Sequence, residues 1–158
     1  MSQNLAMEII TYAYENDKPL YRATLGAVAE ARKLRPVYFE RQPRTQRHAT
    51  MLTTLTRPSM EVVTGNLLRG WLLKKYNSML VDFLNALEIP NQEGVVEDLP
   101  ATMDDAKLKA AVDLLLGKYP QEVVAVYLNA FNDMNEAHWE NLKTMLANEP
   151  RLQLGGGA

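Results

Sequence analysis

The residues best suited to chemistry in this chain concentrate in one basic stretch. Arg32, Lys33, Arg35, Arg41, Arg44 and Arg47 lie within sixteen positions that hold a single acid, Glu40. Tyr38 and Phe39 fall between these cations. Guanidinium and ammonium groups neutralise phosphates and aromatic faces stack on bases, so the interleaving suits a nucleic-acid contact or a partner contact. Pro36 and Pro43 are expected to keep the stretch extended. Two plainer accounts compete with binding: a solvated connector, or a basic strip that pairs with acidic residues elsewhere in the chain. Residues 1–80 hold twelve Lys and Arg against six Asp and Glu, net +6, while residues 81–158 hold five against thirteen, net −8. Internal pairing therefore has its raw material. The overall net charge of −2 and the pI of 5.7 fall short of a dedicated nucleic-acid-binding domain.

Other chemistries find less to work with. Di-metal sites in helical bundles use Glu-x-x-His pairs, but Asn135 precedes His138 at that spacing and Thr45 precedes His48. With two histidines and no cysteine, zinc is undersupplied and thiolate chemistry is excluded. A carboxylate-only magnesium or calcium site stays open, although the stretch 133–142 lacks the glycine that an EF-hand loop needs at its sixth position. Serine and metalloprotease motifs are missing, as are glycine-rich phosphate cradles. His138 between Glu136 and Glu140 reads as a helix residue beside Trp139. If carboxylates did act as general acid and base, Asp133, Glu136 and Glu140 would be the candidates. No catalytic, metal or cofactor residue is assigned.

The elements that must position these residues are helical. Apolar side chains recur every three or four positions along most of the chain, which predicts an all-α compact bundle of about six helices. Leu5, Ile9, Ile10 and Ala13 mark a first helix. Asp17 and Pro19 open a second, whose apolar side runs through Leu25 and Val28 to Leu34 and which Pro36 is expected to end. The threonine-rich stretch 45–55 reads as either a short helix or an irregular connector. The strongest periodicity runs from Ser59 to Leu87 and predicts a long central helix, or two broken near Tyr76 to Ser78; Gly65 and Gly70 within it imply close packing or a bend. Between Pro90 and Pro100 lies a connector, with Val95 and Val96 suited to a brief extended contact. Thr102 is expected to cap the next helix, Gly117 to close it in a left-handed conformation, Pro120 to open another in its first turn, and Asn135 to cap the last. Trp71, Phe83, Tyr127, Phe131 and Trp139 lie at helical spacing and are read as core.

Residues 1–154 are expected to form a single α-helical domain, with 155–158 as a flexible glycine-rich tail. No apolar run reaches membrane-spanning length and no leader pattern is seen, so a soluble, cytoplasmic protein without a membrane association is expected. Because every catalytic pattern sought is missing, a non-enzymatic protein-interaction or regulatory module ranks first, through a protein partner or self-association. Nucleic-acid binding through 32–47 comes next, and a helical enzyme using carboxylates third.

Overall fold

In the computed structural model, which describes residues 1–154, helix follows helix wherever the apolar periodicity is clean. Among the described residues there are nine α-helices and no strand, as an all-α fold requires. They are α1 (Gln3–Asn16), α2 (Lys18–Ala31), α3 (Pro36–Arg41), α4 (Arg44–Leu55), α5 (Glu61–Lys75), α6 (Asn77–Ala86), α7 (Asp105–Lys118), α8 (Gln121–Met134) and α9 (Glu140–Asn148). Short 3-10 helices cover Pro58–Met60 and Pro150–Leu152. None of the described helices is long and apolar enough to cross a membrane. The expected tail at 155–158 lies outside the described residues. By their contacts the helices group into two compact units, Ser2–Lys74 and the residues from Lys75 onward.

In the N-terminal unit α1 packs on α2 and α4, and α2 packs on α3 and α4. Ser2 accepts from the Leu5 amide at 3.2 Å and Asp17 from the Leu20 amide at 3.3 Å, so two side-chain caps start α1 and α2. Asp17 also pairs with Lys74 at 2.8 Å, which holds its carboxyl below the usual range. Val28, Ala29, Phe39 and Met51 are fully enclosed. At Gly70 an added Cβ would stand 2.5 Å from the Leu20 Cδ2, whereas Gly65 has open space; close packing accounts for the first glycine only.

The basic stretch departs from its expected extended form. Pro36 does not end α2, which stops at Ala31; instead it opens α3 as a first-turn proline, where its missing donor costs nothing. Pro43 in turn precedes α4. That helix holds four threonines, and three of them return their hydroxyl protons to the backbone: Thr50 to Gln46 at 3.1 Å, Thr53 to Ala49 at 3.1 Å and Thr54 to Thr50 at 2.7 Å. This local bonding, with Met51 and Leu55 buried, lets a threonine-rich segment stay helical.

The long periodic run 59–87 breaks at Tyr76, whose backbone leaves helical geometry between α5 and α6. In the C-terminal unit α7 packs on α6 and α8, and α9 and the last 3-10 helix pack on α8. Edge-on aromatic contacts fill this core, with Phe83 5.6 Å from Tyr127 and 5.3 Å from Phe131, and Phe131 5.5 Å from Trp139. Asp82 ties α6 to the end of α7, accepting from Lys118 at 2.7 Å and from the Tyr119 hydroxyl at 2.6 Å. Gly94 is required where it stands: its φ is +86°, and a Cβ there would lie 2.9 Å from the Leu80 Cβ. The Val95 contact is a single bridge to Gln92.

Four local expectations are corrected. Asp104, not Thr102, caps α7, accepting from the Lys107 amide at 3.0 Å. Gly117 lies inside α7 and adopts no positive φ. Pro120 is the N-cap of α8 rather than its first helical residue. Asn135 ends α8, and its side chain accepts from Ala137 in the turn ahead, while α9 begins after Trp139.

Candidate nucleic-acid interface

The eight residues singled out at 32–47 divide into two groups once α3 and α4 have formed. Arg32, Lys33, Arg35, Tyr38, Arg41 and Arg44 are exposed. Phe39 and Arg47 are not: Phe39 is a fully enclosed core residue and Arg47 is 9% exposed. The reason for Phe39 is helical geometry, because on α3 the face opposite Val37 and Tyr38 turns toward α2.

Arg47 is held by a buried polar cluster. Its Nε donates to the Tyr21 hydroxyl at 2.8 Å, and its Nη1 donates to the carbonyls of Glu40 at 2.8 Å and Gln42 at 3.2 Å. The same hydroxyl shares a second hydrogen bond with the His48 Nε2, 2.9 Å away. The His48 imidazole is neutral in this setting. Burial, and then the charges of Arg47 and Arg44, push its pKa down to about 4. The Tyr14 ring closes the group, edge-on to Tyr21 and His48, with the guanidinium of Arg44 5.3 Å and that of Arg47 5.9 Å from its centroid. Burial also raises the Tyr21 phenol, a shift that Arg47 opposes. The cluster thus fixes the turn between α3 and α4 from beneath.

Above that turn the exposed cations stand without acids. The ion pairs Lys74–Asp17, Lys107–Glu88, Lys118–Asp82 and Arg151–Glu149 engage none of residues 32–47, and no ion pair among the described residues does. Arg32, Lys33 and Leu34 at the end of α2 line an open cleft of about 550 Å³ together with Gln42, Gln46, Thr50 and Arg57. No carboxylate lines it. Arg57, Gln46 and Thr50 were not among the residues singled out from the sequence. For Gln46 and Thr50 the signal that could have found them is their spacing of four, which places two neutral hydrogen-bonding side chains on one side of α4.

The alternative candidates gather less. Asp133, Glu136 and Glu140 are exposed, as is His138, and no group of three or more His, Cys, Asp or Glu placed to hold a metal occurs among the described residues. A smaller cleft of about 270 Å³ in the C-terminal unit carries Lys109, Asp113, Glu149 and Arg151, but Arg151 and Glu149 already satisfy each other at 2.9 Å.

No family model matches the chain, and no curated protein or solved structure matches it.

Proposed function

We propose that the N-terminal unit is a non-enzymatic module that binds single-stranded nucleic acid on its cationic face. One observation carries this reading: Arg32, Lys33, Arg35, Arg41 and Arg57 are exposed, and none has a carboxylate partner among the described residues. A strip built for internal pairing would have its acids beside it, and a connector would not line a cleft. Tyr38, 60% exposed among these cations, offers one stacking face. We place the activity in the cytoplasm, where a cysteine-free chain meets no redox demand.

Fluorescence anisotropy with a labelled single-stranded oligonucleotide tests the reading. Contact by five cations gives a log K against log salt slope of about −3.5, from ~0.7 per phosphate on single strands. Arg35→Gln and Arg41→Gln should each weaken binding and flatten the slope by about 0.7. No binding at low salt would end the proposal.

A second reading, a module that docks protein, draws on Val37 and Tyr38, 59% and 60% exposed side by side on α3. It predicts self-association in sedimentation velocity that Tyr38→Ala removes, with no strand binding.

A further inference from the structure

The cleft has features that a face for internal phosphodiesters does not need. Lys33 closes α2 in the left-handed region, with φ +56°. Its amide bonds to the Glu30 carbonyl at 3.1 Å, and that of Leu34 to the Ala29 carbonyl at 2.8 Å. This is the helix ending in which glycine is the unstrained choice, and a lysine there carries a backbone penalty. The end of α6 is built the same way around Glu88, with φ +59°, and there the strained residue's side chain is used in an ion pair with Lys107. Lys33 has no such partner among the described residues, and it lines the cleft.

Three cations reach this cleft from two separate places, Arg32 and Lys33 at the end of α2 and Arg57 beyond α4. A phosphodiester carries one charge, and cations spread along a face neutralise it singly. A phosphomonoester carries about −1.5 to −2 near neutrality and has three oxygens to satisfy, which calls for convergent donors. Gln42, Gln46 and Thr50 add amide and hydroxyl groups without any opposing charge.

We propose that this cleft is a phosphomonoester site, with Lys33, Arg32 and Arg57 on the phosphate. The ligand chemistry has two sources, the phosphorylated end of a strand or a free phosphorylated small molecule, and the first rests on the nucleic-acid reading above. Anisotropy compares one oligonucleotide with a 5′-phosphate, a 3′-phosphate and neither, while phenyl phosphate is titrated as the free monoester by calorimetry. A phosphorylated end should improve binding about tenfold, the effect of one further charge-assisted hydrogen bond. Arg57→Gln and Lys33→Gly should each abolish that gain. Lys33→Gly should do so while its melting temperature stays level or rises, a combination that a merely structural lysine would not give.

Phenyl phosphate binding that Arg57→Gln abolishes, with no strand bound, would support the site and end the nucleic-acid reading. Phosphorylated and plain strands binding alike, with phenyl phosphate inert, would overturn the site and leave that reading standing. Silence from every probe would overturn both.

Discussion

Acidification offers the sharpest measurement of the buried cluster. The His48 imidazole is buried against the Tyr21 hydroxyl, and burial followed by the charges of Arg47 and Arg44 opposes its protonation. Folding depresses the histidine from 6.5 to about 4. The unfolded chain therefore takes up a proton across that interval that the folded chain refuses, and stability falls as the pH drops through it. Integrated from about pH 7 to about pH 5, the loss is about 2 kcal/mol. Carboxyls held below their ordinary values, Asp17 and Asp82 from 3.8 and Glu149 from 4.5, add their losses lower down, so this interval belongs chiefly to His48. Trp139→Phe leaves Trp71 of α5 as the only indole, and its fluorescence then reports unfolding of the N-terminal unit. The urea midpoint should drop on the order of 1 M between the two conditions. His48→Gln retains an acceptor near the same place without the titration, and its midpoint should hardly move. Parallel losses in the parent and His48→Gln would refute the assignment of this interval to His48.

Further outcomes follow from individual contacts. Arg47→Met leaves the carbonyls of Glu40 and Gln42 without their donor and should cost about 2 kcal/mol in urea unfolding; Arg47→Lys should recover little, since one ammonium cannot reach all three acceptors. Asp104→Ala should cost about 1 kcal/mol and Thr102→Ala almost nothing; the reverse order would restore Thr102 as the cap. Gly117→Ala, inside α7 with open space around it, should raise stability by about 0.5–1 kcal/mol. Gly94→Ala should lower it by about 2 kcal/mol, from its positive φ and the contact with Leu80.

Helix identity was legible because apolar spacing is a local property: Asp17 with Pro19 marked the start of α2, and the run 59–87 carried its own break near Tyr76. Where two local signals competed, position in the chain could not rank them. Thr102 and Asp104 both offer cap oxygens two residues apart, and the helix that forms uses the nearer. At 36 and 43 a proline ring removes a donor, which favours extended backbone, yet at a first turn or just before one the same ring is neutral. The cleft was hidden for a different reason. Arg57 lies ten positions past the basic stretch and comes to the same cleft as Lys33 only through the packing of α2 with α4, which no spacing rule encodes.

Arg47 shows why a count of cations misjudges such a face. In sequence it is the equal of Arg41 and Arg44, but it lies under the turn they flank, a charge without a carboxylate, solvated by two carbonyls, one phenol and two aromatic faces. Neutral acceptors of this kind stabilise the guanidinium while leaving its positive field uncancelled. A carboxylate in their place would have satisfied Arg47 equally well and lowered the potential of the surface above. Its grip on the Gln42 carbonyl also sets the turn that presents Gln42 to the cleft. Arg47 is thus a positioning residue, and its loss should weaken strand binding without flattening the salt slope, because it touches no phosphate. A slope that flattened by about 0.7 in Arg47→Met would instead place this guanidinium at the ligand.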